Sequence, residues 1–177
     1  MQKEYKPVLI NLLAIAKYEG MPDYPIQFMT TGRLYEDQGN GAVLRYTESQ
    51  QDEDSGEVNV SDIALHIRGR EVTMTRTGDF SNTMLFSKNH RYEGVYHTPY
   101  GDISMAVFSR DVFCHIEPEQ GAVHLKYQLD LQGRYASSHE LHLEYTLASE
   151  ERHTGRKEKQ QKKPQEERTE KNADDHK

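Results

Sequence analysis

Two side chains of opposite charge stand where the alternation of their neighbours would turn them inward. In the run Ala42–Glu48, Leu44, Tyr46 and Glu48 share one face, and in Val72–Gly78, Val72, Met74 and Arg76 share one face. If those faces line an apolar interior, a carboxylate and a guanidinium lie inside it. Either one unpaired would cost several kcal/mol, so they must pair with each other or hold something charged. Two chemistries fit. The simpler is a structural Glu48–Arg76 bridge, or side chains that reach a barrel mouth and water. The other is a ligand anchor in which Arg76, with Glu48 beside it, holds a carboxylate or phosphate head group while Tyr46, Tyr96 and Tyr127 line an apolar cup.

The remaining reactive residue types form no recognisable constellation. His66, His97, His115 and His124 fall on strand-like runs, and His139 and His142 flank the last one. Ligands on one face of a strand need even spacing; His139 and His142 differ by three and face apart. No H-x-H or H-E-x-x-H occurs, so no metal site is expected. His124 and His142 take outward positions on adjacent runs and can be neighbours. No G-x-S-x-G, P-loop or G-x-G-x-x-G is present, so no catalytic residue and no cofactor are assigned. Asp52, Glu53 and Asp54 sit in a solvated loop. Cys114 shares a face with Val112 and Ile116, which predicts a buried, inert thiol.

Strands must position these groups. Val8–Lys17 reads as a first strand covered on both faces, and Ile26–Tyr35 as a second with Gly32 as a bulge or bend. Asn40-Gly41 marks a hairpin into Ala42–Glu48. Glu57–Ile67 follows, with Val58 and Val60 on one face and Ile63, Leu65 and Ile67 on the other. That change of parity predicts a bulge near Asp62. Arg68-Gly69-Arg70 is a tight turn into Val72–Gly78. Asn82–Lys88, Tyr92–His97 and Asp102–Phe108 are three more strands, the last two joined through the corner Thr98-Pro99-Tyr100-Gly101, and Asp111–Ile116 is a short further one. The cleanest alternation comes last: Val123, Leu125, Tyr127, Leu129 and Leu131, then, after a loop over Gln132–Ser138, Leu141, Leu143, Tyr145 and Leu147. Helical periodicity is absent before residue 148. Short strands joined by close turns mean a sandwich or a closed barrel, and because nearly every connection is short the expectation is an all-β, antiparallel up-and-down barrel of about eight to ten strands over residues 1–147.

Residues 148–177 differ in kind. Of 22 Lys/Arg and 29 Asp/Glu, nine and eight lie there, leaving 13 and 21 before it, a net charge of about −8 for the barrel region and +1 for the tail. The tail carries no apolar stripe, so it is expected to be a disordered or partly helical charged extension, or an arm for a partner. An acidic body repels phosphate backbones and argues against nucleic acid. No apolar run reaches the roughly 20 residues of a membrane helix. Val8–Ala16 after Lys3 and Lys6 superficially resembles a secretory leader, but Glu4 and Asn11 interrupt that pattern. With a single cysteine, a cytoplasmic address is the expectation.

Thr30-Thr31-Gly32, Tyr46-Thr47-Glu48, Arg76-Thr77-Gly78, Met84-Leu85-Phe86, Tyr100-Gly101 and Leu125-Lys126-Tyr127, with the closing run Leu141–Leu147, occur in order over residues 8–147. This set resembles the YwiB-like proteins of Gram-positive bacteria, a domain of unknown function (1934). The resemblance implies a calycin-like barrel related in architecture to lipocalins, and no activity, ligand or catalytic residue. Three functions follow as expectations: binding of a small amphipathic ligand inside the barrel; a protein-interaction module using an outer sheet face and the tail; and, least favoured, an enzyme with a site at the barrel mouth.

Overall fold

The computed structural model describes residues 4–37, 39, 41–51 and 54–148. The tail expected after residue 148 lies outside them, as do Asn40, Asp52 and Glu53. Ten strands form one antiparallel sheet: β1 (Lys6–Lys17), β2 (Tyr24–Asp37), β3 (Gly41–Gln51), β4 (Val58–Arg68), β5 (Glu71–Gly78), β6 (Asn82–Phe86), β7 (Arg91–Thr98), β8 (Gly101–Ile116), β9 (Gln120–Leu131) and β10 (Arg134–Leu147). Each strand pairs with its neighbour in sequence except across the β6–β7 seam, and β1 pairs with β10. The sheet order β6-β5-β4-β3-β2-β1-β10-β9-β8-β7 brings β6 back to β7. There the backbones of Ser81 and His97 exchange two hydrogen bonds of 3.0 and 2.9 Å. The Asn89-His90 turn bonds both backbone groups of Ser109 on β8. The result is an up-and-down barrel, all but closed, which leaves few unpaired edges.

Alternation decides what faces in. Val8, Ile10 and Leu12 of β1, Leu44 and Tyr46 of β3, Ile63, Leu65 and Ile67 of β4, and Leu125, Leu143 and Tyr145 of β9 and β10 are buried in one continuous core. Residues between them on each strand face outward. Gly121 is matched to the largest of these side chains. It lies opposite Tyr145, whose ring occupies the space a side chain at 121 would need. The Tyr145 hydroxyl donates to the Glu117 carbonyl at 2.7 Å, tying β10 to the β8–β9 turn.

Several expectations are corrected in detail. Strand β1 is covered on one face only: Leu9 is 38% exposed, because none of the described residues packs over it outside the barrel. Strand β4 holds an unbroken register with β3 and β5, so no bulge occurs near Asp62; Val58 and Val60 simply point outward into solvent. Asp102–Phe108 and Asp111–Ile116 are one strand, β8, kept in phase by an extra residue at Arg110. The β9–β10 connection is a two-residue turn, with Gln132 and Gly133 at φ of 51° and 74°, because β10 starts at Arg134. The bulge on β10 falls at Ala136 instead.

Gly32 marks a fork rather than a bulge. From Gly32 to Asp37, β2 pairs with β3; before Gly32 it pairs with β1 alone. Beyond Tyr46, β3 likewise keeps only β4. A β-carbon at Gly32 would lie 2.5 Å from Ile10 Cδ1 and 2.8 Å from the Arg45 carbonyl oxygen. Only a glycine lets β1, β2 and β3 approach this closely where the wall divides.

Candidate functional site

The β1–β2, β3–β4, β5–β6, β7–β8 and β9–β10 connections lie at one end of the barrel, here the upper end. Arg76 and Glu48 lie in its inner wall. Arg76 sits opposite Ile63, and Glu48 opposite Ser61, on the two strands flanking β4. Arg76 Nη2 donates to Glu48 Oε2 at 2.7 Å, and the two side chains keep 28% and 23% of their surface exposed. The pair is therefore neither a surface bridge nor a sealed one. The sequence placed both charges inside, and the structure joins them.

Tyr46 is the next inward residue below Glu48 and is buried. Burial first, then the Glu48 carboxylate, pushes its phenol well above the usual range, so it stays a neutral hydroxyl beside the ion pair. Burial also pushes Tyr127 up to about 12, with the nearby Arg76 charge opposing. Tyr127 packs between Phe86, at 4.9 Å between ring centroids, and His139, stacked at 5.0 Å. Tyr46, Glu48, Arg76 and Tyr127 thus feel one another. Tyr96 also faces inward, but its ring partner is Phe80, at 6.2 Å.

Sequence reasoning passed over three residues of this end, Asn82, Ser109 and Ser137, and weighed a fourth, His139, only as a metal ligand. Asn82 is the cross-strand partner of Arg76, and its buried Oδ1 has no hydrogen-bond partner among the described residues. Ser109, opposite Tyr127, is fully buried with its Oγ equally unpartnered. Ser137 Oγ and His139 Nε2 lie 2.7 Å apart, and burial holds the His139 imidazole below its usual pKa. Their signal was available: each shares parity with a neighbouring core residue. Small neutral polar side chains such as Asn82, Ser109 and Ser137 stand out less on an apolar face than a formal charge does.

Cys114 faces inward near the lower end, half-buried, and burial alone pushes its thiol up to about 11. His124 and His142 are cross-strand partners on the outer face, ring centroids 4.7 Å apart. Burial, then the neighbouring His142, holds His124 below its usual pKa. No group of three or more His, Cys, Asp or Glu that could hold a metal ion is found among the described residues.

Two concavities flank this arrangement. One, of about 540 Å³, opens at the lower end between Leu34, Ile67, Cys114 and Ile116, rimmed by Glu36 and Glu117. The other, of about 690 Å³, lies on the outer face of β2–β5 and runs into the fork, where its lining reaches Thr30, Gly32 and Tyr46. Arg76, Glu48, Tyr96 and Tyr127 line neither.

Comparison with known proteins adds the following. The model of the domain of unknown function DUF1934 matches residues 13–143. Among solved structures, the ywiB protein from Bacillus subtilis superposes with a TM-score of 0.70 at 19% identity, covering 82% of this chain and 94% of that one. Ail, the attachment invasion locus protein of Yersinia pestis, matches at 10% identity over 82% of this chain and 99% of that one, with a TM-score of 0.29 that carries no weight below. No curated protein matches the sequence.

Proposed function

The chain belongs to the DUF1934 family, and from that premise we propose that it binds a small amphipathic molecule at the upper end of its barrel. The polar end of the ligand meets Arg76, Glu48, Asn82 and the neutral Tyr46 hydroxyl. Its apolar part lies against Tyr127 and Tyr96. The observation that carries this reading is the part-exposed Arg76–Glu48 pair on an apolar inner wall, with an unpartnered amide oxygen directly opposite Arg76.

Two further features support it. Among the described residues Arg76 makes one side-chain hydrogen bond, through Nη2, which leaves further guanidinium donors for a carboxylate or phosphate. The upper end is also incompletely sealed: Ile26, an inward position on β2, is 44% exposed, and Phe28, Tyr96, Leu129 and Leu131 are only partly buried where they pack against the core.

Native mass spectrometry of freshly purified protein tests the proposal. A co-purifying small molecule, lost from Arg76→Met while the variant stays folded, supports it. A ligand-free spectrum together with a clearly destabilised Arg76→Met reduces the pair to a structural bridge.

A second reading rests on outward residues near the fork. Met29 on β2 and Val58 and Val60 on β4 are 65%, 60% and 52% exposed, outward apolar side chains on either side of the fork that suit a protein partner. Charged substitutions at these three positions that leave a captured partner set unchanged would remove this reading.

A further inference from the structure

The outer trough of β2–β5 has a charge arrangement that the interior proposal does not use. Arg33 on β2 and Arg45 on β3 stand directly opposite each other in register. Facing side chains in an antiparallel pair have β-carbons about 5 Å apart, and like charges so placed repel. Six other cations of this acidic barrel, Lys6, Lys17, Arg68, Arg76, Lys88 and Arg91, each meet a carboxylate, whereas the scattered Arg70, Arg110 and Arg134 meet none among the described residues. Arg33 and Arg45 meet none among the described residues. The one acid lining the trough, Asp62, accepts the Thr47 hydroxyl at 2.8 Å.

Both guanidinium groups are nonetheless held in place. Arg33 lies over the Tyr5 ring at 5.0 Å, and Arg45 over the Tyr35 ring at 5.7 Å. The two rings are themselves 5.7 Å apart. These cation–π contacts restrain both guanidinium groups, and neither makes a hydrogen bond or ion pair among the described residues, which lowers the ordering cost of gripping an anion. Across the sheet from Arg45 the register continues with Ala64 and then Thr75. These small residues floor a space of about 690 Å³ and place a hydroxyl, that of Thr75, two strands across from Arg45. That volume suits a small molecule.

We propose that Arg33 and Arg45 form an anion-binding site on the outer face of the barrel, taking the phosphate group of a small phosphorylated molecule whose remainder lies along Ala64 and Thr75. Two guanidinium forks match a phosphate dianion, which satisfies several N–H donors at once and cancels the repulsion between the arginines. The site is independent of the interior. Arg76 projects from the opposite face of β5 to Thr75, so neither proposal needs the other.

Titration calorimetry of the full chain with inorganic pyrophosphate at low ionic strength is the test, run alongside Arg33→Gln, Arg45→Gln, the doubly substituted Lys variant and Arg76→Met. Saturable one-to-one binding is expected, weakened about tenfold by each Gln substitution. The double Lys variant keeps the charge but loses the fork, so it should also bind more weakly, while Arg76→Met binds as the parent does. All four variants are checked for unchanged circular dichroism, and the conservative Lys variant keeps the test open should a Gln variant misfold. Absence of saturable binding overturns the proposal. So does binding indifferent to Gln at both positions, or full retention by the double Lys variant, which would mark mere charge attraction. Binding lost from Arg76→Met alone would move the anion into the barrel, overturning this site and favouring the interior one.

Discussion

Tyr145 lies flat against Gly121, its cross-strand partner on β9: a β-carbon at residue 121 would be 2.6 Å from the ring's Cζ and hydroxyl oxygen. The ring cannot retreat without breaking the hydrogen bond from its hydroxyl to the Glu117 carbonyl. Gly121→Ala is expected to destabilise the barrel by about 1–3 kcal/mol, the usual cost of overpacking a filled site. Urea denaturation measures it. An alanine variant as stable as the parent would show that the ring is free to move.

The inward and outward sets make a sharper contrast. Leu143→Ala and Leu125→Ala, at fully buried positions, should each cost about 2–5 kcal/mol. Leu9→Ala, one residue out of phase with Val8 and Ile10, should change stability little. Equal losses at Leu9 and Leu143 would contradict the one-sided covering of β1.

The Arg76–Glu48 pair lies between the surface and buried limits, so its coupling should fall near 1–2 kcal/mol in a double-mutant cycle of Arg76→Met and Glu48→Gln. Each single change strands one charge and should cost more than the pair of changes together. A coupling indistinguishable from zero would mean that the bridge is merely a solvated contact.

Acid should weaken the fold before its carboxylates titrate. His139 is held below its usual pKa by burial, and His124 by burial and then His142. The unfolded chain binds these protons near pH 6.5 and the native one resists them, so protonation favours unfolding. Stability is therefore full above about pH 7 and declines as the pH falls through 6.5 toward the depressed native values. Replacing His139 by Gln should flatten that slope in urea midpoints taken from pH 7.5 to 5.5. An identical slope would exclude His139 as a contributor.

With its pKa pushed up to about 11, the Cys114 thiol should be almost wholly protonated at pH 8. Ellman's reagent should therefore react far more slowly with the native protein than with the urea-unfolded chain. Comparable rates would place the sulfur in an open position.

Much of the fold was legible because alternation survives wherever a strand has one wet face. Leu125, Tyr127, Leu141 and Tyr145 show it plainly, and Glu48 and Arg76 were found by the same rule. Where the rule failed, the reasons are physical. Val58 and Val60 are apolar yet point outward, so parity read from hydrophobicity called for a bulge that β4 does not contain. The extra residue at Arg110 kept Asp102–Phe108 and Asp111–Ile116 in phase within one strand while disguising them as two. The fork at Gly32 depends on where β2 leaves β3, a property of pairing between strands rather than of either strand. Arg33 and Arg45 drew no notice because each alone is an ordinary solvent-facing charge; only the register that sets them opposite each other gives them meaning.

The pairing of β1 with β10 also dictates when the molecule can be finished. Lys17 and Glu140, joined by a 3.0 Å ion pair between those strands, are 123 positions apart. As the polypeptide leaves the ribosome, β1 finds β2 almost at once but waits for nearly the whole barrel before its second edge is covered. Throughout that interval a strand carrying Val8, Ile10 and Leu12 has an open flank, the kind of surface on which nascent chains aggregate and which chaperones shield. Slow, all-or-none maturation late in translation follows from this one long-range seam.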